Sequence, residues 1–196
     1  MEASLKDILD SYNAAAPLAE AYTIPAAWYT DKRVADLELQ NVFARNWQAV
    51  GRLSQLEKPG QYVTATVADE PIVVVRGRDG KLRAFYNVCR HHAAAVATAP
   101  CGIVEHLRCP YHGWTYGLDG SLKGAPEFAG VCNFDRAGNG LVPARAAIWE
   151  QFVFVALDAK TPALDTFLGE LPAKVVPLEL NSIRFFERRT YTLACN

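Results

Sequence analysis

The chain has 196 residues, of which 51% are hydrophobic and 21% charged, and a formal net charge of −1. That is enough apolar material for one substantial core, and the charge excludes a global drive toward nucleic acid or an anionic membrane. No apolar run approaches the roughly 20 residues that a bilayer-spanning helix needs.

In chain order, Met1 to Pro17 carries Glu2, Lys6, Asp7 and Asp10 and lacks the basic and apolar regions of a signal peptide. It reads as a loosely ordered arm or short helix, and the expected compartment is a reducing cytoplasm. Ala21 to Thr30 reads as an irregular entry segment. Asp31 is expected to cap a helix over Lys32 to Asn46, with Val34, Leu37, Val42 and Phe43 at near-helical spacing. Residues 1–46 are thus an N-terminal arm and helix. From Trp47 the pattern changes to short strands: Trp47–Arg52, Tyr62–Val67, Ile72–Arg76 and Leu82–Tyr86, rich in β-branched and aromatic residues. Lys58-Pro59-Gly60 and Asp79-Gly80 punctuate them as turns. Further strands are predicted over Val104–Cys109, Trp114–Gly117, Ala144–Trp149 and Phe152–Leu157, the last two joined at Glu150-Gln151. Asp165–Leu171 reads as a short helix and Ile183 to Leu193 as a strand with weak alternation.

Two short loops interrupt this pattern. One contains Cys89-Arg90-His91 and the other Cys109-Pro110-Tyr111-His112, so each offers one thiolate and one imidazole. A zinc finger with two cysteines and two histidines groups like with like. Mixed loops suit a Rieske [2Fe–2S] centre, whose one iron takes two cysteines and whose other takes two histidines. Each loop then reaches both irons, and the cluster clamps the loops together. The expected fold is mainly β: an antiparallel barrel or sandwich with a cluster-binding subdomain inserted between strands. A zinc knuckle on the same four residues is the alternative reading of the ligand set.

The flanking residues carry a resemblance. Asn87-Val88-Cys89-Arg90-His91-His92-Ala93 and Cys109-Pro110-Tyr111-His112-Gly113-Trp114-Thr115-Tyr116-Gly117 are similar to the cluster loops in the large subunit of Rieske non-haem iron oxygenases. Within that family the chain resembles choline-monooxygenase-like and ring-hydroxylating members, from about Tyr22 onward. The resemblance implies a Rieske domain over 47–160, with cluster loops 87–93 and 109–117, and in 161–196 the start of a connection to a catalytic domain. It implies electrons arriving from an NAD(P)H-dependent flavin or iron–sulfur reductase, or a ferredoxin, and leaving for a mononuclear Fe(II) that activates dioxygen. Hydroxylation or demethylation of a small organic substrate would follow, with neighbouring subunits as further partners. Respiratory Rieske proteins add a disulfide at positions matching Ala94 and Tyr111, which cannot form one here. They also place a serine hydroxyl where this chain has Trp114. Tyr116 remains as a donor, and the expected potential is near the low end of the range, about −150 mV. A stand-alone Rieske ferredoxin is the rival function; such carriers are usually shorter.

The remaining histidines, His92 and His106, are expected to be structural, at the surface or hydrogen-bonded in a loop. They cannot build the two-histidine, one-carboxylate iron site of the resembling oxygenases. The expectation is therefore that the catalytic iron site lies outside this chain. Cys101, Cys132 and Cys195 read as ordinary thiols. Between Arg76 and Arg108 six basic residues face two acidic ones, Asp79 and Glu105, a balance that suits an acidic electron donor or a solvated edge equally. Trp114 either shields the cluster, forms part of a docking surface or packs in the core.

Overall fold

The structure is a computed structural model and describes residues 3–128 and 130–194. Among these there are ten strands: β1 (Gln48–Arg52), β2 (Gln61–Val67), β3 (Glu70–Arg76), β4 (Leu82–Tyr86), β5 (Cys101–Ile103), β6 (Leu107–Arg108), β7 (Thr115–Tyr116), β8 (Leu122–Gly124), β9 (Pro143–Trp149) and β10 (Phe152–Ala156), of which β2, β3 and β10 are the clearest β-branched and aromatic runs. The helices are α1 (Leu5–Asp10), α2 (Ala26–Thr30), α3 (Lys32–Glu38), α4 (Leu164–Leu168) and α5 (Leu171–Val175). Seven strands form an antiparallel sheet in the order β1-β10-β9-β4-β3-β2-β5, and β6-β7-β8 form a second, small one. The mainly antiparallel β fold expected from the sequence is present.

Strand β3 explains how one sheet serves two cores. Its run Ile72-Val73-Val74-Val75 is buried throughout, as a central strand covered on both faces must be. Period-two alternation then sends Val73 and Val75 to one face and Ile72 and Val74 to the other. The first face continues through Tyr62 and Phe85 to Cys89, Leu107, Cys109, Trp114 and Tyr116. The second continues through Leu56, Val63, Ala84, Val153 and Val155. The insertion between β4 and β9, residues 87–142, carries both cysteine loops and packs on the first face.

Some predicted elements differ. The helix from Asp31 is real, with the Asp31 carboxylate accepting from Arg33 N–H at 2.9 Å. It is α-helical only to Glu38, then turns π-helical over Leu39–Phe43; the Asn41 amide donates to the Leu37 carbonyl at 3.0 Å, a local bond of the kind that competes with a regular ladder. The predicted strand Val104–Cys109 shrinks to Leu107–Arg108, because Cys101–Ile103 pairs with β2 instead (Tyr62↔Gly102). Val104 then donates to the Gly60 carbonyl at 3.0 Å and the chain turns away. Gly60 is required there: φ is +83° and an added Cβ would lie 2.1 Å from the Val104 oxygen. Ile183 to Leu193 is not a strand; its residues are exposed and take no part in either sheet. The helix predicted over Asp165–Leu171 divides into α4 and α5 at Gly169, whose φ is +53°.

The described residues of Met1–Val42 and Arg184–Asn196 form one compact unit, and Phe43–Ile183 another. In the first, the Trp28 indole donates to Ile8 O at 2.9 Å and packs edge-on against Tyr12. In the second, Trp47 donates to Pro162 O at 2.9 Å.

Candidate metal centre

The first loop is fixed at its root by Asn87, which is only 4% exposed. Its N–H donates to Pro71 O at 2.7 Å. Its amide donates to Ala97 O at 2.7 Å, and its side-chain oxygen accepts from Val96 N–H at 3.0 Å and Ala97 N–H at 2.9 Å. The strand end and the returning segment are thereby stapled together, and the loop between them has little freedom. Asn87 opens the loop motif in the sequence, but its residue type alone does not reveal this stapling role.

The two loops share one backbone design. Cys89 N–H donates to Ala94 O and Cys109 N–H to Trp114 O, both at 2.8 Å. Ala93 N–H donates to Cys89 O at 3.0 Å and Gly113 N–H to Cys109 O at 3.1 Å. The residue closing each loop is left-handed, Ala93 at φ 58° and Gly113 at φ 71°. At Gly113 the glycine relieves the strain that Ala93 carries in the first loop.

Both cysteines are buried in the same core, with Tyr116 between the loops. The Tyr116 oxygen lies 3.3 Å from Cys89 Sγ and accepts from Arg90 N–H at 2.9 Å. Burial, and then the bond to Cys89, push the phenol well above its ordinary range, so it keeps its proton and donates to the sulfur.

The imidazoles are placed unequally. His91 is half-buried and stacks flat on Trp114, with centroids 4.9 Å apart and planes at 5°. Phe128 and Phe134 pack edge-on against the same indole. His112 is exposed and lies under exposed Tyr111 at 3.8 Å. The His91 and His112 rings are 4.8 Å apart. Burial, then the neighbouring rings of His92 and His112, hold His91 below its ordinary range, which favours the neutral form that a metal requires.

The donor set fits a metal group. Among the described residues, His91 Nδ1 is buried without a hydrogen-bond partner. A buried imidazole nitrogen with no donor or acceptor to meet is costly, and a metal ion satisfies its lone pair. The two thiols are buried in the core, whereas His91 is half-buried and His112 exposed.

Other candidates lie elsewhere or serve the fold. His106 is exposed and lines a groove with Arg78, Glu105 and Lys123. Cys101 and Cys132 are exposed free thiols; Cys195 lies outside the described residues. Much of the basic cluster is tied up locally: Arg76 donates to Leu56 O and Gly80 O, and Arg83 pairs with Asp79 at 2.7 Å. Ala94 and Tyr111 face no disulfide chemistry, and Trp114 is buried core as well as cover for His91. Among the described residues no helix is long and apolar enough to cross a membrane.

Residues 46–135 match the family described as the Rieske [2Fe-2S] domain. The chain is 39% identical over 163 residues to the glycine betaine monooxygenase oxygenase subunit of Chromohalobacter salexigens, covering 83% of this chain and 36% of that one. It is 38% identical over 179 residues to the carnitine monooxygenase oxygenase subunit of Escherichia coli K12, covering 90% and 48%. The structure of a quaternary ammonium Rieske monooxygenase, described with inter-subunit electron transfer in that protein, superposes with a TM-score of 0.75 at 35% identity, over 79% of this chain and 42% of that chain. The chain thus spans less than half the length of these relatives.

Proposed function

We propose that this chain, which belongs with the Rieske [2Fe–2S] domains of oxygenase large subunits, is an electron-relay module that holds its cluster through Cys89 and Cys109 on one iron and His91 and His112 on the other. The observation that carries the reading is the pair of matching loops, each with a buried cysteine and an imidazole outside it, the His91 nitrogen lacking any protein partner. When bound, the cluster supplies reversible one-electron transfer.

The residues of the chain divide the remaining work. Asn87 and the loop hydrogen bonds hold the ligands at fixed spacing. Tyr116 donates to Cys89 sulfur and favours the more electron-rich state. Trp114 and Phe128 keep water from the His91 side, while exposed His112 leaves one edge open to a redox partner. Residues 47–160 make up the cluster domain, and 161–196 lead toward a catalytic domain with a mononuclear iron. The donor is a flavin or iron–sulfur reductase or a ferredoxin, and the small organic substrate is met only in the whole protein. The four histidines of the chain support this division, since His91, His92 and His112 lie together at the cluster loops and leave only exposed His106 elsewhere.

Protein-film voltammetry tests the assignment to oxygenases. The expected potential is near the low end of the Rieske range, about −150 mV. A value well above zero places the chain with respiratory carriers and contradicts the proposal.

A further inference from the structure

The first loop carries one imidazole more than the second. Counted from each cysteine, the loops align through their matching hydrogen bonds and their left-handed closing residues, Ala93 and Gly113. The second position after the cysteine is then His91 in one loop and Tyr111 in the other. The third position is His92 in one and His112 in the other. His92 therefore occupies in its loop the place from which the second loop presents its imidazole.

The rings are close enough for this to matter. The His92 centroid lies 4.0 Å from that of His91 and 5.3 Å from that of His112. One ligand nitrogen from each of the three rings falls within 4.8 Å of the others. His92 is exposed, and among the described residues no hydrogen bond holds its ring. His91, by contrast, is clamped flat against Trp114 with its Nδ1 buried. Water satisfies His92 when it is not a ligand, whereas nothing else satisfies His91.

We propose that His92 is an alternative ligand for the histidine-bound iron, taking the place of His91 when that imidazole is withdrawn. The inference rests on the cluster reading above. The exchange breaks one iron–nitrogen bond and forms another. A neutral imidazole replaces a neutral imidazole, so no electron or proton is gained or lost by the cluster.

The test uses the purified chain with His91→Ala, His91→Tyr, His92→Ala and His91→Ala/His92→Ala. His91→Tyr gives the first loop the Cys-x-Tyr-His order already present in the second, which keeps an aromatic ring against Trp114. Iron and acid-labile sulfide content and the electron paramagnetic resonance spectrum of the reduced protein are measured for each. The wild type and His92→Ala should give the same Rieske-type signal. At least one of the His91 variants should keep part of its iron, with shifted g-values, and the double variant should lose it completely. Loss of the cluster from both His91 variants, folded or not, overturns the proposal, as does, where His91→Ala keeps iron, a double variant that keeps as much. Loss from His92→Ala also overturns it, since His92 would then be a resident ligand. Failure of the wild type to bind iron and sulfide would instead remove the cluster reading itself.

Discussion

The two cysteine loops have the same backbone and opposite surroundings. Residues 89–94 and 109–114 close with matching hydrogen bonds, yet His91 is sandwiched in an aromatic core while His112 stands at the surface beside Tyr111. The shared backbone does not itself fix the imidazole's place, since His91 is the second residue after its cysteine and His112 the third. Which ligand is sealed and which is open is decided by the segment that follows, because Phe128 and Phe134 pack only on the Trp114 side. A symmetric frame becomes a relay with a closed back and an open front.

The largest effect should erase the symmetric part. Cys89→Ala, Cys109→Ala and His112→Ala each remove a proposed ligand. Each is expected to lose the Rieske-type resonance signal entirely, with iron analysis as the check. Cys101→Ser and Cys132→Ser, at exposed thiols, should retain it.

The asymmetric part should appear as stability. Trp114 is 2% exposed, and Trp114→Ala should cost about 3–5 kcal/mol in chemical denaturation, as truncation of a buried aromatic does. Tyr111 is 65% exposed, and Tyr111→Ala should change stability by no more than about 0.5 kcal/mol. Equal costs at the two positions would break the comparison.

Asn87 staples only the first loop. Asn87→Ala leaves buried Val96 N–H, Ala97 N–H and Ala97 O without partners, at about 1–3 kcal/mol for such a group. A loss of about 3 kcal/mol is expected, with faster amide hydrogen exchange confined to 87–97. Exchange that quickens equally in 109–117 would show the loops to be one cooperative unit.

The sequence showed much of this and missed specific parts. The mixed Cys/His spacing exposed the four candidate ligands because metal chemistry restricts residue type at fixed positions. Strands β1 to β4, β9 and β10 were legible because β-branched runs between turn residues have few other uses. Strand β5 was not: Cys101-Gly102-Ile103 is exposed and without alternation, and it is a strand only because β2 offers an edge at Tyr62. The false strand at Ile183–Leu193 has the converse cause, since its residues are exposed and alternation alone makes no ladder. Asn87 and the nearness of His92 to both rings depend on tertiary placement, which residue type does not encode.

A smaller effect separates the sulfurs. Tyr116 donates to Cys89, and Tyr116→Phe removes that bond while leaving the ring in the core. A hydrogen bond worth about 1 kcal/mol in favour of the reduced state corresponds to roughly 40 mV for a one-electron couple. The variant's potential should fall by about that amount in protein-film voltammetry. An unchanged potential would show that the phenol serves Arg90 N–H alone.

The central claim is that the two loops jointly hold a two-iron, two-sulfide cluster with unlike ligands on its irons. Electron paramagnetic resonance of the reduced wild-type chain, with iron and acid-labile sulfide measured on the same sample, tests it most directly. A Rieske-type spectrum with about two iron and two sulfide per chain is the predicted result. A colourless, resonance-silent protein carrying a single zinc ion would contradict it.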